Sequence, residues 1–168
     1  MTKPSQRLAR WIVALLLALG TLAANAAAAV DEADKVKLIE DEAAGWSRNM
    51  DQLLAVFSDD VTYEDATLGV VFHSKEELRG FAQGFFNAFP DLKAVITSTV
   101  VSGNRAASEW RFVGTQVGDM PGMPASNKLM DLHGVSIYEF EGGKIKHKTD
   151  YWDLATMLKQ LGFMPVKQ

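Results

Sequence analysis

From Val36 onward, apolar residues recur at steps of three and four: Val36, Ile39, Ala43, Trp46, Met50, Leu53 and Phe57. That spacing lays one apolar stripe along a helix, predicted to break into two pieces near Gly45 or Asn49. The period then changes, and "VTYEDATLGVVF" predicts an extended or hairpin-like segment turning at Leu68-Gly69. Ser74 and Glu77 stand at capping-box spacing, and Leu78, Phe81, Phe85 and Phe89 carry a helical period until Pro90 stops it. Three strand-like segments follow: "LKAVITSTVV", "AASEWRFVGTQV" and "KLMDLHGVSIYEF". A Ser-Gly-Asn-Arg turn joins the first two, and "GDMPGMPASN", expected to act as a lid or rim, joins the second to the third. Gly142-Gly143 forms a hairpin turn into a last strand at residues 144–152, after which Asp153 caps a short helix that Gly162 ends.

This order predicts an α+β domain in which N-terminal, middle and C-terminal helices cover one face of a curved antiparallel sheet. No internal repeat and no linker marks a second unit, so residues 30–168 are expected to form one domain. Residues 1–29 stand apart. Lys3, Arg7 and Arg10 make a basic start, "WIVALLLALGTLA" is apolar, and "ANAAAA" supplies small residues, the layout of a cleaved signal peptide. The apolar run falls short of the roughly 20 residues of a membrane span, so no stable anchor is expected after cleavage at Ala26 or Ala29. The expected destination is the periplasm or the medium.

Charge and cysteine content narrow the function classes. Seventeen basic and 21 acidic residues give −4, and losing the three basic residues of the leader gives −7. Such a domain has no electrostatic footprint for nucleic acid. With no cysteine there is neither a disulfide framework nor thiol chemistry, and stability must come from packing.

The candidate chemistry lies in "HKTDYWD", residues 147–153, where Asp150 stands beside Tyr151 and Trp152. If Glu141 faces Lys144, an unbroken register puts Asp150 opposite Val135 and Trp152 opposite His133, all on one sheet face. Asp150 and His133 then become diagonal neighbours roughly 7 Å apart at the backbone. A strand-end Asp is as often a solvated or capping residue, but burial among aromatics is what raises a carboxyl toward the range useful for proton transfer. Lys146 and Lys148 share that predicted face, and a bulge would reconcile them with a buried acid. His73, His133 and His147 show no metal-ligand spacing, so no metal is expected. No nucleotide-binding glycine pattern or serine-hydrolase elbow is present, so no cofactor is expected either. Phe81, Phe85, Phe86 and Phe89 suit a core, with Phe86 and Phe89 also placed to close the mouth of a pocket.

The combination of "FPDL", "GTQVGDMPGMPASNK" and "YEFEGGKIKHKTDYWDLATMLKQLG" resembles the SnoaL-like polyketide cyclases, across most of residues 33–163. The resemblance implies the nuclear-transport-factor-2-like fold, a cone of bent sheet and helices around a deep pocket for a small apolar or aromatic molecule. It also implies a late-strand acid acting without metal or organic cofactor, a position that Asp150 matches, with His133 orienting it or donating to a forming enolate oxygen. Tyr63, Trp110, Phe112 and Trp152 would supply pocket walls. Relatives often carry His after the Gly-Thr of the middle strand where this chain has Gln116, which can hydrogen-bond an oxygen but cannot shuttle a proton near neutral pH. The fold hosts isomerases, epoxide hydrolases and binding-only proteins as well. A binding domain with no chemistry therefore remains open, as does an epoxide hydrolase with Arg111 pointing inward. The outer sheet face of this fold commonly pairs, so a homodimer is expected.

Overall fold

The computed structural model describes residues 31–165; the expected leader lies outside the described residues. The predicted apolar stripe forms α1 (Glu32–Trp46) and α2 (Met50–Ala55). The break between them falls at Arg48, in the left-handed region at φ +79°. Asn49 then caps α2 by accepting from the Gln52 N–H at 3.1 Å. Gly45 lets the two helices meet, because a Cβ there would lie 2.4 Å from the Leu53 Cα.

The remaining elements are β1 (Phe57–Asp65), β2 (Val70–Phe72), α3 (Lys75–Ala88), β3 (Lys93–Ser102), β4 (Arg105–Thr115), β5 (Leu129–Glu141), β6 (Lys144–Trp152) and α4 (Leu154–Leu161). Both predicted caps are present: the Ser74 side chain accepts from Glu77 N, and Asp153 accepts from Thr156 N. Gly162 ends α4 at φ +87°.

The six strands form one sheet in the order β2-β1-β6-β5-β4-β3. The α+β class is as expected, but the sheet is mixed, since β1 runs parallel to β6 while every other pair is antiparallel. This pairing joins distant parts of the chain, and no hairpin pattern in the sequence encodes it. The inner face carries Ala106, Ser108 and Trp110 from β4 and Leu132, Ser136, Tyr138 and Phe140 from β5, all buried. Helix α1 packs against β3, α3 against β1 and α4 against β5. Among the described residues, twelve large side chains are fully buried, Ile39, Leu53, Leu78, Leu92 and Leu161 among them. Each such burial stabilises the fold by about 1.5–3 kcal/mol relative to exposure.

One irregularity decides which residues face the core. Glu141 faces Lys144 and Phe140 faces Ile145, but the next pair is Glu139 with His147, so Lys146 is an extra residue in β6. This bulge moves every later residue of β6 by one against β5. Asp150 consequently faces Ser136 and Trp152 faces Gly134, not Val135 and His133 as an unbroken register requires. His147 faces Glu139 rather than Tyr138.

Candidate active site

The inner face of β6 presents Lys148 and Asp150, both buried, to a pocket under α1 and α3. The pocket encloses about 580 Å³ of atom-free space, part of it open to solvent at the mouth. Its walls include the rings of Trp46, Phe81, Phe85, Trp110, Phe112 and Trp152.

Its floor is a connected polar network. Asp150 accepts from the Tyr63 hydroxyl through Oδ2 and from the Ser136 hydroxyl through Oδ1. Lys148 Nζ stands 3.0 Å from Asp150 Oδ1 and donates to Glu42 Oε1 at 2.6 Å. Glu42, projecting from the apolar stripe of α1, also accepts from Trp46 Nε1 at 2.8 Å and from the Tyr138 hydroxyl at 3.0 Å. Trp110 Nε1 donates to Ser136 Oγ at 2.8 Å, which ties the aromatic wall to the floor. The ammonium also lies 4.9 Å from the centroid of the Tyr63 ring, in cation–π contact.

Two carboxylates and one ammonium thus share a site shielded from water, and each is met by donors or acceptors, as buried charge requires. Burial works against the charged form of Lys148, but Asp150 and Glu42, with smaller help from Tyr63 and Tyr138, outweigh it and hold its proton well above the ordinary lysine range. Burial first, then the Asp150 charge, pushes the Tyr63 phenol well above its usual value, so Tyr63 remains a hydrogen-bond donor.

Asp65 is a further titratable group on the wall. It lies beside Asp150 in the parallel β1–β6 register, and its Oδ2 accepts from Trp152 Nε1 at 2.9 Å. Its Oδ1 accepts from Leu68 N at 2.8 Å, closing the turn after β1. Desolvation raises this carboxyl above the usual aspartate range; the bonds from Trp152 and Leu68 oppose the shift, and the Asp150 charge adds to it.

The expected site residues divide accordingly. Asp150, Tyr63, Trp110, Phe112 and Trp152 all line the pocket. His133 does not: alternation along β5 puts it on the exposed outer face, where it pairs with Arg111 across β4 and β5, while the bulge in β6 brings Asp150 to the inner face. Arg111 is likewise on that outer face and donates to Asp131 at 2.7 Å, which removes the inward arginine that epoxide hydrolysis needs. Phe86 and Phe89 belong to the core instead: Phe86 packs edge-on against Trp46 at 6.1 Å, and Phe89 stacks on Phe85 at 6.1 Å. Phe81 and Phe85, one turn apart on α3, line the pocket in their place.

Gln116 is fully buried outside the pocket, its Nε2 donating to Met123 O at 3.3 Å, so it pins the base of the connecting loop. No residue of 117–128 lines the pocket, and Val117 N and Gly118 N dock that loop on Ala88 O at the end of α3. Among the described residues no group of three or more His, Cys, Asp and Glu could hold a metal ion.

Sequence reasoning missed Glu42, Ser136, Tyr138 and Asp65. Glu42 carried a signal, as an acid on an otherwise apolar helical face beside Ile39, Ala43 and Trp46. Asp65 carried a weaker one, being two residues from Tyr63 and therefore on the same face of β1.

Gly134 makes room for the wall. A Cβ there would lie 2.2 Å from Trp110 Cζ2, inside the indole ring. Gly134→Ala is expected to cost about 1–3 kcal/mol by overpacking and to displace the Trp110 indole from Ser136. Urea denaturation and tryptophan fluorescence read both effects, and an unchanged midpoint with an unchanged spectrum would refute this reading of the glycine.

A six-stranded mixed sheet with flanking helices closing over a pocket is the ketosteroid-isomerase and nuclear-transport-factor-2-like fold. Within that class, the sequence profile of the SnoaL-like polyketide cyclases matches residues 38–161, and the chain belongs to that family. Solved structures agree on the fold. TsrD from Streptomyces laurentii is similar with a TM-score of 0.73 and 24% identity over 80% of this chain and 98% of that one. A candidate SnoaL-like polyketide cyclase from Jannaschia sp. CCS1 gives 0.70 and 20% identity over 80% and 95%. A Catenulispora acidiphila protein with a ketosteroid isomerase-like fold, in complex with trimethylamine, gives 0.67 and 22% identity over 77% and 94%. No curated protein sequence matches the chain.

Proposed function

We propose that this protein is an acid/base catalyst of the cyclase and isomerase type, acting without an organic cofactor on a small apolar or aromatic molecule with an enolisable carbon. Asp150 takes the proton from that carbon. The observation that carries the reading is a carboxylate at the floor of an aromatic pocket, fixed in place by Tyr63, Ser136 and Lys148. Positioning of this kind is what proton abstraction from carbon demands, since the base must meet the C–H bond at hydrogen-bonding distance. A Catenulispora protein of the same fold in complex with trimethylamine supports small-molecule binding here.

A binding role without chemistry is the second reading, and one observation favours it: both oxygens of Asp150 are already engaged by internal donors. Deuterium exchange into a panel of enolisable ketones and β-ketoesters in heavy water separates the two. Catalysis predicts exchange faster than buffer with the wild-type domain and its loss in Asp150→Asn. A pocket that binds panel members but accelerates none of them is a binder.

We further propose that the protein is exported with residues 1–29 removed. Expression of the full chain in a bacterial host is expected to give a periplasmic or secreted product whose intact mass begins at Ala27 or Val30. A full-length product retained in the cytoplasm counts against export.

A further inference from the structure

Enolisation needs two proton movements, one from carbon to a base and one to the oxygen that gains charge. The bulge at Lys146 leaves the second movement without the histidine expected for it, because His133 is on the outer face. The titratable groups that face the pocket are Glu42 from α1, Tyr63 and Asp65 from β1, Tyr138 from β5, and Lys148 and Asp150 from β6. The walls from α3, β3, β4 and α4 are apolar or aromatic.

Most of these groups are committed elsewhere. The Tyr63 proton is engaged with Asp150, that of Tyr138 with Glu42, and Lys148 is held between Glu42 and Asp150. Glu42 accepts bonds from Lys148, Trp46 and Tyr138. Asp65 differs. No titratable group donates to it, since its hydrogen bonds come from Trp152 Nε1 and from the Leu68 and Thr67 N–H groups of the turn that follows. It is also the neighbour of Asp150 on the adjacent strand, facing the same cavity.

We propose that Asp65 is the acid partner of Asp150, its carboxyl hydroxyl protonating the substrate oxygen as Asp150 takes the proton from the adjacent carbon. This rests on the carbon-acid reading above and assigns its missing half. The C–H pair becomes the C=C bond of an enol, the carbonyl π pair forms the new O–H bond, Asp150 becomes neutral and Asp65 becomes a carboxylate. Reversal with a deuteron on Asp150 returns the labelled ketone. The negative charge moves between two neighbouring strands while the total charge of the pocket stays constant. In a site shielded from water, that avoids creating an uncompensated enolate. Burial favours the neutral form of Asp65 that the role requires.

The test uses the mature protein, with aspartate carboxyl carbons labelled with carbon-13 and titrated by NMR from about pH 3 to 9. Asp65→Asn and Asp150→Asn assign the signals. The resonance missing in Asp65→Asn is expected to titrate above the ordinary value of 3.8 and to move back toward it in Asp150→Asn.

In heavy-water exchange, wild-type kcat/KM is expected to fall as the pH rises through that titration. Asp65→Asn is expected to lose that descending limb together with about 100-fold of the rate. Asparagine keeps an oxygen for the turn, so near-ultraviolet circular dichroism is expected to stay native. An Asp65 carboxyl that titrates at or below 3.8 overturns the proposal whether or not any ketone exchanges. Unchanged rate and pH profile in Asp65→Asn overturn it as well. A silent panel removes the carbon-acid reading itself, and with it the role of Asp65, even where the NMR shift is found.

Discussion

Lys148→Met is expected to destabilise the domain by about 3–5 kcal/mol at neutral pH, the cost typical of breaking a buried ion pair by removing one partner. The substitution keeps the length and apolar stem of the side chain, so the loss is of charge. It leaves Glu42 and Asp150 facing each other across a shielded floor with no cation between them. Against a total stability of about 5–15 kcal/mol for a domain, that is a large fraction.

Adding Glu42→Leu to Lys148→Met is expected to recover a substantial part of the loss, because one uncompensated charge is removed together with its desolvation cost. Chemical denaturation of both variants at neutral pH reads these differences. A penalty under about 1 kcal/mol would show that the pair behaves like a solvated surface bridge.

Asp150→Asn is expected to lower carbon-acid exchange by about 100- to 10,000-fold, the usual contribution of a positioned general base. The charge balance of the floor makes this a clean test. Two carboxylates and one ammonium become one carboxylate and one ammonium, so the variant keeps a neutral Glu42–Lys148 pair and is expected to fold. The asparagine oxygen can still accept from Tyr63 or Ser136, and its amide has no proton affinity to match a carboxylate. Loss of rate with preserved ligand affinity and a preserved melting transition assigns the effect to proton transfer. Equal exchange in the variant and the wild type would falsify the role of Asp150 as base.

Much of the fold was legible in the chain because its signals are local. The Ser74 and Asp153 caps, the Gly142-Gly143 turn and the αL glycine at 162 each report on a few neighbouring residues, and each is found where the pattern puts it. The site was legible only in part, because its geometry depends on relations between distant residues. Asp150, Tyr63, Trp110, Phe112 and Trp152 follow from alternation along single strands.

The assignment of His133 failed at one inserted residue. Lys146 sits in the bulge, and a slip of one position exchanges the two faces of everything beyond it. The same slip brings Lys148 and Asp150 to the same inner face opposite Tyr138 and Ser136. Phe86 and Phe89 were misplaced for a different reason: helical spacing says which residues share a stripe but not which part of the stripe meets the core and which the cavity. Gln116 could not be placed from its neighbours at all, since its fixed partner is the Met123 carbonyl in a loop without a regular pattern.

The parallel pairing of β1 with β6 also sets an order in time. Strand β6 is the only one that joins β1 and β2 to the block formed by β3, β4 and β5. Lys148 reaches Glu42 across 106 positions of the chain, and Asp150 reaches Tyr63 across 87. A chain growing from its N-terminus can form helix α3 and the hairpins from local contacts, but the two parts of the sheet have no hydrogen-bonded connection until β6 has been made. A chain cut short before residue 144 therefore lacks both the seam of the sheet and the Lys148 and Asp150 side chains of the floor, so the pocket is completed only once β6 has been made.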